Sequence, residues 1–360
     1  MIKLKWFILV VLTTFYFNCN NENSESYIKI KRSSDRQIQP QKTKLKISDI
    51  SFALIKEIKI SSKILIGDIS TLDNFNSQRL LITDRIGKKV FLVDDKGNLI
   101  KELDPEVCHP GFHWNPLYSF FNKNGAIYVI NSNPWGFRFD KNGGCLGPMD
   151  LEFLATYSID FKTDGTIIGY YAMGDGLYLK AMTPKGKEIT RFGEFPSQFR
   201  NLIYRFEYGG IVIDRNDNIY QVNLNSTKIT EYNKNYKKIN EFEYVPSDFH
   251  KVTEDISNNP QKVFSEIPQK TKGKSFSISI HLVSKNIIAV QYVPKTFENK
   301  YGIMFYYTNG EKVIEKKIAF NKIILDSNEN GYLYTAKQPE ANKSGNLPNP
   351  VIQIYKIIYN

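Results

Sequence analysis

Short apolar runs rich in β-branched and aromatic residues alternate with tight polar turns along this chain, and the alternation repeats. Six runs stand out: Leu80–Asp84, Ile127–Asn131, Ile167–Tyr171, Ile219–Asn223, Ile287–Tyr292 and Tyr332–Ala336. A second β-rich run follows most of them about four residues later, and another turn closes it. β-branched and aromatic side chains fit a pleated, half-buried surface. A recurring all-β unit means that one small sheet is built several times over. The turn residues sit where hairpins need them: Asn124-Gly125, Asp164-Gly165, Asn216-Asp217 and Asn330-Gly331 before the second strand of a unit, and Lys96-Gly97, Asn142-Gly143, Lys185-Gly186 and Asn309-Gly310 between the third and fourth. Gly and Asn accept the positive φ that such turns require.

The six runs start 47, 40, 52, 68 and 45 residues apart. A period of about 40 to 50 residues with four short strands per unit is a propeller pattern. The chain is expected to be all-β: six blades, each a four-stranded antiparallel sheet with strands A to D from the inside out. The last unit reads as A (Ile318–Asp326), B (Tyr332–Lys337) and C (Pro350–Tyr355), with no strand D after it. At the other end, Phe52–Ile60 is a strand without a unit. It is expected to complete the last blade, closing the ring and covering edges that would otherwise invite pairing with other chains. The long spacing of 68 marks an insertion at 245–274, rich in Pro, Lys and Ser. A seven-blade ring with a degenerate unit inside 245–285 is the competing arrangement.

Hydrophobic residues make up 41% of the 360 residues and aromatics 14%, ample for a buried core. Residues before about 50 read differently. Lys3 and Lys5 precede an apolar stretch, Trp6 to Phe17, too short to span a bilayer, and this reads as a secretory signal over 1–18. Cys19 follows, then Asn20, Asn21 and Glu22. The stretch resembles a bacterial lipoprotein signal, in which the cysteine becomes the lipidated first residue, although Tyr16, Phe17 and Asn18 depart from the usual small-residue pattern. An ordinary cleaved signal is the alternative. Residues 19–50 read as a basic, flexible tether ahead of a propeller over 51–360.

The net charge of +11 bears on partners. Residues 29–46 alone hold seven Lys or Arg against Asp35, so over half of the charge sits in the tether and not on the folded body. A basic tether beside a lipid anchor would lie near anionic head groups, where each basic residue adds about 1 kcal/mol. Nucleic acid is not an expected partner of an exported chain. Besides Cys19, Cys108 and Cys145 remain. An exported compartment permits a disulfide, but spacing leaves a bridge and two thiols both open.

The units Leu80–Glu102 and Gly193–Gln221, with Arg191–Pro196 and Ile211–Ile219, carry a resemblance to the NHL- and TolB-like six-bladed propellers, and especially to the propeller lipoproteins of Bacteroidetes-type bacteria. It covers about 50–360 and implies the fold and an envelope location, facing the outer membrane, the periplasm or the cell surface. It does not imply an activity, because one fold hosts many functions.

In such a ring the B–C loops and the connections from D to the next A share one face, around the tunnel mouth. That face gathers Asp84 and Arg85, Asn131 to Trp135, Asp175, Asn223 and Asn225, His109 to Trp114 (with His113), and Arg200, Tyr204 and Arg205. Trp114, Trp135 and Tyr204 could stack on sugars or apolar groups, or else fill gaps between blades. Arg85, Arg200 and Arg205 could hold carboxylate, phosphate or sulfate. A module binding a glycan, peptide or protein partner through this face is the expected function. One alternative is a propeller enzyme of lactonase, lyase or glycan-hydrolase type, with Asp84, Asn131, Asp175 and Asn223 around a divalent cation such as calcium. The other is a structural subunit of an envelope complex. No cofactor or metal site is assigned: Asp326–Gly331 imitates half of a calcium loop but has Lys337 at position twelve, where a bidentate Glu is needed, and Pro110 and Gly111 keep His109 and His113 off a helix.

Overall fold

The computed structural model describes residues 28–30, 47, 49–132, 135–150, 158–170, 177–194, 197–199, 209–256, 260–295, 300–314, 318–338 and 348–360. Its strands form six antiparallel sheets arranged as the six blades of a propeller. Blade 1 runs Ile69–Phe75, Arg79–Asp84, Lys89–Asp94 and Leu99–Glu102, each strand paired with the next. Blade 2 (Pro116–Asp150), blade 3 (Ile159–Glu194) and blade 4 (Gly209–Tyr244) repeat this order. On the outer edge of blade 4, Ile28–Ile30 adds a fifth strand opposite Phe242–Tyr244. Blade 5 runs from Phe276 to Phe320.

Blade 6 closes the ring. Its strands Asp326–Ser327, Tyr332–Lys337 and Val351–Tyr359 are completed by Ile50–Lys59, paired from Ile50 opposite Tyr359 to Lys59 opposite Val351. The expected closure is therefore present, with six blades and not seven. One boundary and one element differ from the reading of the sequence. Ile318–Phe320 pairs with Tyr301–Ile303 as the outer strand of blade 5, so the inner strand of blade 6 is only Asp326–Ser327. Within the insertion, Pro260–Thr271 is a helix.

The core is six wedges, one between each pair of neighbouring blades. Leu80, Ile82, Phe91 and Val93 of blade 1 pack with Ile58, Tyr334 and Ile352 of blade 6. The alternate residues Leu81, Val90 and Leu92 pack on the other side against Ile127, Val129, Phe137 and Phe139 of blade 2. The same arrangement recurs around the ring. Successive side chains of a strand point to opposite faces, and both faces of a blade are covered by neighbours. That is why the B strands read as unbroken apolar runs: Leu80–Asp84 and Ile127–Asn131 are buried throughout. The outer strand of blade 1, Leu99–Glu102, is exposed throughout.

The A–B turns are short, with no more than five residues between the strands. In them an Asx side chain accepts backbone N–H groups further along the turn, as Asn122 does from Asn124 and Ala126, Asp214 from Asn216 and Asn218, and Asn328 from Asn330 and Tyr332. The calcium-like segment Asp326–Gly331 is thus the end of an inner strand and its hairpin turn.

The inner strands meet their neighbours through a side-chain ladder. Each is an edge strand whose tunnel-side N–H and C=O groups lack a strand partner and need another one. Ser70 donates to Leu117 O (2.8 Å), Thr71 Oγ1 accepts from Ser119 N (3.1 Å), and Asp73 Oδ2 accepts from Phe121 N (2.5 Å), tying blade 1 to blade 2. Ser158 and Asp160 accept likewise from Ile211 N (3.0 Å) and Ile213 N (2.6 Å), tying blade 3 to blade 4. Asp326 accepts from Asn74 N (2.7 Å), tying blade 6 to blade 1.

Candidate functional site

Strand alternation puts the A–B and C–D turns on one face of the ring and the B–C loops and D-to-A connections on the other. Side chains cross the ring at the turn face. Lys123, in the blade 2 turn, reaches past blade 3 to Ile213 O of blade 4 (3.2 Å) and stands 3.8 Å from Asp160. Arg215, in the blade 4 turn, pairs with Glu329 in the blade 6 turn (2.5 Å).

The loop face is built differently. In blades 1 and 2 the last residue of strand B clasps the connection that enters the same blade. Asp84 is fully buried, and its carboxylate accepts four backbone N–H groups: Gly67 (3.0 Å), Asp68 (3.1 Å), Ile86 (3.1 Å) and Gly87 (3.0 Å). Asn131, at the equivalent place in blade 2, accepts from Asn115 N (2.6 Å) and donates to His113 O (3.1 Å). Asn223 in blade 4 accepts from Asn225 N (3.1 Å). Asn225 in turn exchanges two hydrogen bonds with the backbone of Val252 (2.7 and 2.8 Å), holding the insertion down. Three of the residues expected at the tunnel mouth therefore bind backbone in the fold. Arg85 is half-buried, and its guanidinium donates to Asp68 (3.4 Å).

At blade 2 the connection 103–115 is fastened at several points. Asp104 caps the short helical turn Pro105–Val107 by accepting from Glu106 N (2.9 Å). Cys108 and Cys145 are joined in a disulfide with Cα atoms 6.0 Å apart, fixing the connection to the outer strand of blade 2. Behind them, Phe112 and Trp114 stand edge-on to Phe137 with centroids 4.6 and 5.8 Å away, and the His109 ring lies 5.5 Å from Phe112. Trp114 thus fills the wedge between blades 1 and 2. His109 and His113 remain exposed, as does Trp135, 41% accessible at the start of strand C.

Over blades 4 and 5 the insertion shares a small core with the segments beneath it. Phe199, Leu224, Val252, Ile256 and Phe276 are buried together, with Ile267 of the helix packed against them. In sequence, Val263, Phe264 and Ile267 recur at helical spacing, a signal that the polar composition around them obscured. Ser277 donates twice to the B–C loop below, from N to Leu224 O (2.9 Å) and from Oγ to Ser226 O (2.6 Å). Burial, with Lys295 and Lys274 nearby, holds the His250 imidazole below its ordinary range. Cys19, Asp175, Arg200, Tyr204 and Arg205 lie outside the described residues. Among the described residues, no three His, Cys, Asp or Glu side chains form a group that could hold a metal ion.

No family model and no curated protein matches this chain. Solved structures do. A member of the DUF4221 family from Bacteroides vulgatus aligns over 88% of this chain and 100% of its own, with a TM-score of 0.63 at 10% identity. A Bacteroides fragilis protein assigned as exported aligns over 86% and 95%, with a TM-score of 0.57 at 10% identity. The PQQ-bound aldose sugar dehydrogenase of Streptomyces coelicolor aligns over 86% and 99%, with a TM-score of 0.51 at 11% identity. At these identities the likeness is one of fold: the chain is a six-bladed propeller similar to those of Bacteroides proteins and of a sugar dehydrogenase.

Proposed function

We propose that this chain is an extracytoplasmic, lipid-anchored propeller that serves as a binding module, taking a glycan, peptide or protein partner on its loop face. The asymmetry of the two faces carries this reading. The A–B turns of the turn face are all short, and Lys123 and Arg215 reach across the ring there. The loop face holds the long connections, braced by buried clasps, a disulfide and an insertion packed into a small shared core. Rigid loops lose little entropy when a ligand binds, and this favours affinity. The disulfide suits an oxidising compartment, and one fold neighbour is assigned as exported.

The test immobilises the full chain and measures retention of envelope glycans and of peptide libraries. Trp135→Ala is expected to weaken binding about tenfold, equivalent to about 1.4 kcal/mol, because an exposed indole offers a stacking surface. Lys96→Ala, in a C–D turn, should leave binding unchanged. Equal binding by the wild type and Trp135→Ala, or loss in Lys96→Ala alone, would overturn the assignment to the loop face. The anchor is tested separately. Cys19→Ser should remove acyl chains and shift the protein from the membrane to the soluble fraction, and an acylated, membrane-bound Cys19→Ser would refute lipidation there.

A further inference from the structure

The three inner-strand aspartates of the ladder occupy equivalent positions in blades 6, 1 and 3, opposite Tyr334, Leu81 and Ile168 of strand B. Each accepts one N–H from the inner strand of the following blade: Asp326 from Asn74, Asp73 from Phe121, Asp160 from Ile213. Their equivalence brings three carboxyl groups into the same stretch of the ring. We propose that Asp73, Asp160 and Asp326 form a proton-sensitive lock on the ring, tight while they are protonated and loosened as all three ionise.

A protonated carboxyl still offers its carbonyl oxygen to the neighbouring N–H, so the ladder persists in the neutral form. Ionisation adds charges that repel one another within the ring. Asp73 faces Asp326 from blade 6, Asp160 from blade 3 and Lys123 from the blade 2 turn. Asp160 also faces Asp217 of the blade 4 turn, and Asp326 faces Tyr334 of its own blade. Lys123 is the cation beside them, while Arg215 is engaged with Glu329. Burial raises all three carboxyls above the ordinary range, with repulsion from the neighbouring aspartates added, and Asp73 is pushed up to about 7.

Above about pH 4 the unfolded chain releases protons that the folded ring keeps, so the folded state gains in acid. That gain is lost as pH rises through the folded-state values. For Asp73 alone, the unfolding constant rises about 100-fold between pH 5 and 8. His250 and His281 act oppositely. Burial leads in holding both imidazoles below their ordinary range, so each favours the folded state more as pH rises toward 6.5.

The experiment compares urea unfolding of the full chain and of Asp73→Asn/Asp326→Asn at pH 5, 6, 7 and 8. The variant keeps both histidines and one amide oxygen at each site for the N–H of the next blade, while at 326 an N–H₂ replaces the oxygen that accepts from Ser327 N. That loss is the same at every pH, so the pH dependence of the wild-type-to-variant ratio of unfolding constants isolates the carboxyls. That ratio is expected to rise about 100-fold or more across the range, and a flat or falling ratio overturns the lock. If the double variant fails to fold, Asp160→Asn gives the same comparison. Hydrogen exchange of the Asn74, Phe121 and Ile213 amides in the wild type then supplies a second readout. Corrected for intrinsic rates, their opening constants should rise with pH, and pH-independent opening would also overturn the proposal.

Discussion

Asp84→Ala is expected to destabilise the propeller by about 4 kcal/mol, read as a lower urea midpoint with an unchanged slope. The residue is fully buried, and its two carboxylate oxygens are shared among four backbone N–H groups from two chain segments. A hydrogen bond to a charged group contributes about 1.5–3 kcal/mol, and a donor left buried without a partner costs about 1–3 kcal/mol. Alanine orphans four donors, of which water can reach some once the loop relaxes. Asp84→Asn should fall between, because one carboxamide position presents N–H₂ to an N–H. The oxygen on Gly67 N is Oδ2 and the one on Asp68, Ile86 and Gly87 is Oδ1. Gly87 has to be glycine for the same reason, since a Cβ there would lie 2.3 Å from Asp84 Oδ2. A stability change under 1 kcal/mol in Asp84→Ala would mean that the carboxylate is not a clasp and is free to serve a ligand.

Replacing Cys108 and Cys145 together by serine, or reducing their bond, is expected to cost a similar amount. The bond closes a loop with a sequence separation of 37. Loop-closure entropy for that length is about 4 kcal/mol. The loss is first felt in the connection 103–115 and in the aromatic groups Phe112 and Trp114 that it presses onto Phe137. Differential scanning calorimetry with and without reductant measures the global effect. Proteolysis should find a new cleavage site within 103–115 in the reduced protein. An unchanged melting temperature with intact thiols would show that the bridge does not hold this connection.

The parts of the fold that were legible in the sequence are those whose cause is local. Leu80–Asp84 and Ile127–Asn131 announce buried strands because both faces of a blade are covered. Asn124-Gly125 and Asn142-Gly143 announce hairpins because positive φ and Asx side chains act within a few residues, and Gly125 and Gly143 do adopt φ of 82°. Even ring closure was readable, as a strand without a unit at one end and a unit without a strand at the other. The boundary between blades 5 and 6 was not. Ile318–Phe320 has the composition of any strand, and only its pairing with Tyr301–Ile303 assigns it to blade 5.

Much of the candidate site lay beyond sequence. Asp84, Asn131 and Asn223 end strand B on the expected face, but residue type does not tell a ligand group from a clasp. The difference rests on which backbone N–H groups a folded loop brings within 3 Å. Nor could Asp73, Asp160 and Asp326 be grouped, since nothing in the order of residues brings them together. Their meaning comes from a neighbour 48, 53 and 252 residues away. Strand, turn and repeat follow from the chain itself, because side-chain sterics and backbone geometry act between adjacent residues. The wedges, the clasps, the disulfide and the ring of carboxyls were decided only by tertiary structure, because closing six blades on one axis sets which distant groups meet.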